Sequence, residues 1–493
     1  MKTAILVGTP AACDQLERQL ALAAEAPVIL GRVHCGPDAG GSGSPVLGTL
    51  ADLELVCARR HPQGVLITLP AAMKDLITSI RTRVRRLGIP DRFLPTLDDQ
   101  LAGVGPRTEF EVDLNELVGR PQRHLDDGLV RSAVEGRCVL VTGAGGSIGS
   151  ELCRILANFA PAKLILVERS ENALFEIDRQ IARRFPSLAR RACLHDVVDA
   201  DATYALWQEE SPDLVIHAAA HKHVPMMEDH PGLAVDNNLF GTKSALDASL
   251  ACRAERFVMV STDKAVNPTS IMGMTKRLAE LYVQHCNRTA STACSVVRFG
   301  NVLGSSGSVL ETWKKQIADG GPLTVTDPRM TRYFMSIPEA ASLVIQAAAL
   351  TERDSKMGEV FVLDMGEPFR IVELAERFVR MHGLDPVLMH AAGAPLSASV
   401  GSRAGEMSII CTGARPGEKL FEELALDAET IQETRHPDIR SWGLPTPDAA
   451  YIDRMLSTLA PQRRSRDGTQ VARVVRELVP EAPVGAAQLP AVA

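Results

Sequence analysis

Thr262, Asp263 and Lys264 are consecutive, so a hydroxyl, a carboxyl and an amine meet at one point of the chain. A carboxyl and an amine side by side can divide the work of a general acid and a general base. Further on, Met272 precedes Lys276 by one helical turn, which puts both on one face of a helix. The thioether can accept no proton, so the lysine is the only titratable group of that pair. A second set of residues suits a different task. The run Val139–Gly149 reads VLVTGAGGSIG: an apolar strand enters a glycine turn and leaves it with Ile148, Leu152, Ile155, Leu156 and Phe159 at helical spacing. Gly143, Gly146 and Gly149 permit the turn, let the backbone approach a pyrophosphate and let the helix lie close to its strand. The phosphates would sit at the helix N-terminus, which attracts anions. Glu168 ends the next apolar run, Leu164–Val167, where a carboxylate suits the ribose hydroxyls of NAD and repels the 2′-phosphate of NADP. NAD is therefore the expected cofactor, with Arg169 beside Glu168 as the one opposing charge.

Alternating elements must position these groups. Strands are predicted at Val139–Val141, Leu164–Val167, Arg191–Leu194, Leu214–Ala218, Phe257–Val260 and Ser295–Arg298, with helical patterns between them. Such alternation builds a parallel sheet covered on both faces, the Rossmann-type doubly wound α/β class. Residues 1–110 show the same rhythm on a smaller scale, with strands at Ala4–Val7, Pro27–Val33 and Gly64–Leu69 and helices at Ala11–Ala24 and Asp52–Arg60. The first turn there, Gly8-Thr9-Pro10, has one glycine and a proline, so this unit is expected to hold no dinucleotide and to serve regulation or assembly. Arg81, Arg83, Arg85 and Arg86 are read as a solvated helix face. The expected division is a degenerate Rossmann-like domain over 1–110, a linker over 111–135, a catalytic domain over 136–460 with an α/β substrate-binding portion, and a short helix with a disordered tail over 461–493.

Composition narrows the classes. The chain has 493 residues, 45% of them apolar, which is enough for two or three cores. A net charge of -7 argues against nucleic acid as a partner. Ten scattered cysteines without a C-x-x-C pair point to a reducing compartment. No apolar run approaches the ~20 residues that span a bilayer. The expected place is the cytoplasm, with the inner face of the membrane as an alternative. His217, His221, His223 and His230 lack a ligand geometry, so no metal is expected.

The strand, the glycine turn and the Thr-Asp-Lys and x-x-x-Lys segments resemble the extended short-chain dehydrogenase/reductases. The usual helix signature of that group is Tyr-x-x-x-Lys, and here position 272 is methionine. Thr-Asp-Lys with methionine in the tyrosine place resembles the CapD-like nucleotide-sugar 4,6-dehydratases of polysaccharide biosynthesis, over nearly the whole chain. The resemblance implies oxidation at C4 of a UDP-hexose, most simply UDP-N-acetylglucosamine, proton removal from C5, loss of water from C6, and hydride return to C6. It implies Lys264 as C5 base and Asp263 as C6 acid, with Lys276 orienting the nicotinamide ribose; a neutral Lys264 beside a protonated Asp263 would meet both demands. The group that accepts the C4 hydroxyl proton stays open, Thr262 relaying to water being one option.

On the same resemblance, the cofactor is held by Gly143, Gly146, Ser147, Ile148, Gly149, Glu168, Arg169, Asp196, Val197, Ala218, Ala219, Ala220, Lys222, Asn238 and Lys276. Asn238 has a second reading as a buried hydrogen-bonding residue. The sugar nucleotide is held by Lys222, His223, Asn301, Val302, Ser306, Ser308, Val309, Thr326, Arg332, Arg415 and Glu418. The arginine forks suit diphosphate oxygens, and Arg332 and Arg415 are preferred to Arg329. Larger members of the group carry N-terminal transmembrane helices, so this chain is expected to be a soluble form or a piece beginning after them, and to form a homo-oligomer. Two other readings stand beside this one: a sugar-nucleotide 4-epimerase, and an inactive NAD-binding scaffold for which Met272 is the main argument.

Overall fold

The structure is a computed structural model that describes residues 3–21, 26–36, 43–70, 72–94, 96, 98, 99, 117, 125–351, 360–389, 406–415, 417–424, 430–443 and 447–481. The chain forms two compact units. The first contains residues 1–119 together with 313–325 and 372–412. Its main sheet is parallel, built from β1 (Thr3–Gly8), β2 (Val28–His34), β3 (Val46–Thr49), β4 (Val65–Thr68) and β5 (Asp91–Phe93) in the order β3-β2-β1-β4-β5. Ile5 and Val7 face one apolar layer and Ala4 and Leu6 the other, as the period of a strand requires. The turn after β1 is closed by its own residues: Thr9 caps helix α1 (Pro10–Leu20) by accepting from Ala12 N at 3.3 Å. Helix α2 (Leu53–Arg60) follows β3 and helix α3 (Lys74–Arg86) follows β4; two arginines of α3 depart from the expected solvated face, while Arg86 is exposed. Arg81 meets Asp91 at 2.6 Å and Arg83 forms an ion pair with Glu54. A second, three-stranded sheet of this unit is made by Leu323–Val325, Glu406–Cys411 and Asp385–Met389.

The second unit contains residues 120–312, 326–371 and 413–493. Its parallel strands are β6 (Cys138–Thr142), β7 (Lys163–Glu168), β8 (Arg190–Leu194), β9 (Leu214–His217), β10 (Arg256–Val260), β11 (Ala293–Arg298) and β12 (Val360–Leu363); β13 (Thr430–Glu433) and β14 (Ile439–Gly443) extend the sheet antiparallel. The order is β13-β14-β12-β11-β10-β9-β6-β7-β8. The chain runs outward from β6 to β7 and β8, then returns to place β9 on the other side of β6. The carboxyl ends of β6 and β9 therefore frame the crevice where such sheets bind ligands.

Both faces are covered. Val139, Val141, Leu164 and Leu166 point into one layer, with helices α4 (Asp127–Val134), α5 (Ser147–Leu156), α6 (Glu171–Arg184) and α10 (Ile337–Leu350). Leu140, Ile165 and Val167 point into the other, with α7 (Ala200–Glu210), α8 (Gly241–Ala251), α9 (Ile271–Thr289), α11 (Ala449–Leu459) and α12 (Gly468–Leu478).

Two boundaries differ from those expected. Segments 313–325 and 372–412 group with the N-terminal unit, and the second sheet draws its three strands from these two segments. The chain after 460 is no appendage through residue 481: Val471, Val474, Val475 and Leu478 of α12 are buried in the second layer. Arg463 and Arg464 both grip the buried carboxylate of Asp236, at 2.6 and 2.5 Å, and Arg277 meets Glu481 at 2.6 Å. The expected tail lies outside the described residues beyond 481, as does most of the expected linker.

Candidate active site

The glycine turn after β6 is fixed by close approach of backbone to backbone. Gly143 has φ +65°, and a Cβ there would lie 2.8 Å from Ala219 N. A Cβ on Gly149 would lie 2.0 Å from Gly143 O, so only glycine lets α5 start so near the strand. Gly145, which the G-x-x-G-x-x-G spacing leaves out, also matters: its N donates to Glu168 Oε2 at 3.1 Å, and a Cβ on it would meet Ala173 Cβ at 2.5 Å. Glu168 Oε1 accepts from Arg169 N and Ser170 N at 2.9 and 3.0 Å. The carboxylate thus ties two turns together while keeping lone pairs for hydroxyl donors.

A cleft opens over this turn, lined by Gly143, Gly146, Val167, Glu168, Arg169, His195, Asp196, Val197, Ala218, Ala219, Ala220 and Asn237. Nine of the expected cofactor residues are therefore together. Val167, His195 and Asn237 are not among the expected residues; Asn237 receives Arg169 Nη1 at 3.3 Å, and that arginine also meets His221 Nε2 at 2.6 Å. A glycine cradle that any Cβ would fill, the start of a helix and a carboxylate at the end of β7 fit a dinucleotide with an unmodified ribose.

The other expected cofactor residues do not line this cleft. Ile148 and Gly149 lie in the first turn of α5. Ser147 Oγ accepts from Ser306 N at 3.0 Å, and Lys222 Nζ donates to Ser305 Oγ at 3.3 Å, so the loop 305–308 lies over the start of α5. Asn238 sits fully buried in a π-helical turn, Val235–Phe240, where it holds His221 N at 2.8 Å, His221 O at 3.1 Å and Thr275 Oγ1 at 3.1 Å. It orders the wall of the cleft, which matches its second reading. His217 is clasped by Thr142 Oγ1 at 2.8 Å and Thr242 Oγ1 at 3.0 Å, and burial pushes its pKa down to about 3. Among the described residues no group of His, Cys, Asp and Glu could hold a metal ion.

The charged centre lies at the carboxyl end of β10. A single 3-10 turn, Asp263–Ala265, is capped by Thr262, and Asp263 N donates to Phe299 O at 3.1 Å. The Asp263 side chain is fully buried; its Oδ1 accepts from Thr262 Oγ1 and from Lys264 Nζ, both at 2.9 Å. Its Oδ2 has no hydrogen-bond partner among the described residues. Lys264 Nζ also donates to Asn301 Oδ1 at 2.9 Å and lies 3.7 Å from Glu422 Oε1. Burial alone would lower the lysine, but the charges of Asp263 and Glu422 outweigh it and hold its pKa above the usual lysine value. That corrects the expectation of a neutral amine: the resting lysine is an ammonium held in an ion pair.

On α9, Met272 is 3% exposed and its carbonyl accepts from Thr275 Oγ1. Lys276 Nζ reaches back to Val260 O at 2.7 Å, and burial lowers its pKa to about 8. Sequence reasoning missed the ionic floor beneath it. Glu280 receives Arg298 at 2.7 Å, Arg277 at 3.2 Å and Ser261 Oγ at 2.7 Å. Burial would raise that carboxyl, yet the two arginines and the hydroxyl hold it below the usual range.

The expected sugar-nucleotide residues divide into two groups. Asn301 and Val302 form a short strand pairing with Phe334 and Met335, which brings Asn301 to Lys264. A Cβ on Gly307 would lie 2.6 Å from His223, placing that histidine beside the 305–308 loop, where Ser308 Oγ is buried with no partner among the described residues and Val309 begins a helix. Thr326 is tied to Met330 Sδ and Gly413 N. Arg332 does not present an open fork. Its guanidinium donates to Thr331 O and Lys419 O, both at 2.8 Å, and meets Glu422 at 3.5 Å. Arg415 is exposed, and its N donates to Glu418 Oε2 at 3.2 Å. Arg329 is paired to Asp327 at 2.8 Å.

Residues 139–442 match the family described as polysaccharide biosynthesis protein. The chain belongs to that family. A probable polysaccharide biosynthesis protein, EpsC of Bacillus subtilis, is 39% identical over 399 residues, which are 80% of this chain and 63% of that protein. This chain thus spans less than two thirds of that relative. A UDP-N-acetylglucosamine 4,6-dehydratase (inverting) of Campylobacter jejuni is 34% identical over 276 residues, 55% of this chain and 75% of that enzyme. Among solved structures, Pen from Bacillus thuringiensis superposes with a TM-score of 0.55 at 29% identity, over 64% of this chain and 90% of that one. The family match begins at β6 and ends at β14, so it covers the glycine turn and the charged centre. No helix of the described residues is long and apolar enough to cross a membrane.

Proposed function

We propose that this member of the family carries out the NAD-dependent 4,6-dehydration of a UDP-hexose, with UDP-N-acetylglucosamine as substrate, giving a UDP-4-keto-6-deoxy sugar. The observation that carries the reading is the Asp263–Lys264 pair. An acid and a base share one 2.9 Å hydrogen bond, and the second carboxyl oxygen is buried with no partner among the described residues.

NAD in the glycine cradle would supply the hydride acceptor for C4 and, once reduced, the donor for C6. Gly143, Gly146 and the start of α5 would hold its pyrophosphate, and Glu168 its adenosine ribose. Lys276, anchored on Val260 O, would hold the nicotinamide ribose. A 4-ketone makes the C5 hydrogen acidic, and Lys264 removes it. For that the ammonium first passes a proton along the hydrogen bond to Asp263, leaving a neutral amine and a neutral acid. Asp263 then donates that proton to the departing C6 hydroxyl. Elimination leaves the pair as ammonium and carboxylate; when hydride reaches C6, Lys264 returns a proton to C5, and the proton given up by the C4 hydroxyl makes good the one that left with water. Asn301 keeps Lys264 in place during both states. A 4-epimerase has no use for this pair, and the buried thioether of Met272 supplies no base at C4.

Incubation with UDP-N-acetylglucosamine, followed by mass spectrometry, tests the proposal. Loss of one water is expected; a product of unchanged mass overturns it.

A further inference from the structure

Glu422 has no part in the scheme above, yet it borders the pair at its centre. Its side chain is 2% exposed. One oxygen, Oε1, stands 3.7 Å from Lys264 Nζ and 3.5 Å from Arg332 Nε. The other, Oε2, is buried with no partner among the described residues. An ionised carboxylate left half unsatisfied is costly in such a place, whereas a protonated one bears no charge to be desolvated. The charged groups that face it are Lys264 on the turn after β10, Asp263 beside that lysine, Arg332, and Lys419 on its own segment. Burial and Asp263 favour the proton on Glu422, the three cations oppose it, and burial prevails: the carboxyl is held above its ordinary pKa.

Resting on the reading of Lys264 as base, we infer that Glu422 is a positioning residue whose own proton decides whether Lys264 can give up its proton to Asp263. When Glu422 is neutral, only Asp263 holds the ammonium, and the transfer to Asp263 proceeds. When Glu422 is ionised, a second carboxylate pins the proton on Lys264. No other atom moves and no co-reactant is needed: one proton leaves Lys264 Nζ for Asp263, and Glu422 keeps or loses its own to solvent. Arg332, whose fork is filled by Thr331 O, Lys419 O and Glu422, fixes the carboxyl at this distance.

The test needs no substrate. The intact protein is labelled competitively with acetic anhydride across a pH series, and the Lys264 peptide is quantified by mass spectrometry. Lys264 titrates above the pH at which Glu422 ionises, so removing that carboxylate should lower its half-labelling point by about one to three pH units, the usual effect of one close opposite charge. Glu422→Gln is expected to show that fall and Glu422→Asp to keep the wild-type value. Should Glu422→Gln not fold, Glu422→Ala is read in the same way. An unchanged or higher half-labelling point overturns the inference. In deuterated water with UDP-N-acetylglucosamine, wild-type exchange at C5 should decline at alkaline pH, and Glu422→Gln should lack that decline. A uniformly slower variant with the same decline would mark a merely structural role and overturns it too. Exchange surviving in Lys264→Met would instead remove Lys264 as base, a failure of the underlying reading that the labelling experiment does not share.

Discussion

The cleft over the glycine turn and the charged centre after β10 lie along one sheet edge but are built on different principles. The cleft is shaped by what is missing. Gly143, Gly145 and Gly149 leave no space for a methyl group, and the polar work falls to backbone N–H groups and one carboxylate. The charged centre is shaped by what is crowded in. Asp263, Lys264, Asn301, Arg332 and Glu422 come from segments far apart in the chain and balance one another within hydrogen-bond or ion-pair reach. The first region tolerates no added volume; the second tolerates no change of charge.

Substitutions should separate the two. The largest effect is expected from Asp263→Asn, which keeps the volume and removes the acid: dehydration should fall by about 100- to 10,000-fold, the usual worth of a positioned acid or base. NAD retained on purification should be unchanged; loss of NAD together with turnover would merge two regions described as distinct. Gly149→Ala should do the reverse. A Cβ placed 2.0 Å from Gly143 O forces the helix off its strand, at about 1–3 kcal/mol. NAD should bind roughly 10- to 100-fold more weakly, measured by calorimetry, with turnover restored at saturating NAD.

Lys276, anchored on Val260 O at the end of β10, is tested through stability. Its folded pKa of about 8 lies below the ordinary 10.5. Below pH 8 the charge is buried at a cost. Between pH 8 and 10.5 the unfolded chain holds more protons than the folded one, so this site's contribution to stability rises with pH. Lys276→Met should therefore gain most over wild type below pH 8, and thermal melting should show that advantage shrinking toward pH 10.5. An advantage constant with pH would contradict the burial of the charge. The smallest effect on turnover is expected from Met272→Ala. It opens a cavity costing about 2–4 kcal/mol of stability, but turnover should fall far less than in Asp263→Asn. Equal, near-total losses would assign Met272 a positional role.

The same contrast explains what the sequence makes legible. The glycine turn, Glu168 and the apolar strands are read locally, since each depends on a run of neighbours, and the strands appear within a residue or two of the expected places. Thr262, Asp263 and Lys264 are legible because they are consecutive. Glu422 is not: its importance comes from contact with Lys264 across more than a hundred residues, and the Glu422-Glu423 pair offers no pattern to separate one carboxylate from the other. Arg332 misleads for the same reason. Its sequence context suits a diphosphate clamp, whereas the fork is filled by the neighbouring Thr331 O and by Lys419 O and Glu422, from a segment that sequence order does not bring near. The strands that segments 313–325 and 372–412 contribute to the second sheet of the first unit, and the grip of Arg463 and Arg464 on Asp236, are likewise matters of long-range pairing.

The central claim is that Lys264 and Asp263 work as base and acid on the sugar. The direct measurement is the reaction of wild type and Lys264→Met with UDP-N-acetylglucosamine in deuterated water, read by mass spectrometry and proton NMR. Wild type should give a 4-keto-6-deoxy product that has lost one water and carries solvent deuterium at C5, while Lys264→Met retains NAD and shows neither change. Inversion at C4 with C5 untouched, or C5 exchange persisting at the wild-type rate in Lys264→Met, would contradict the account.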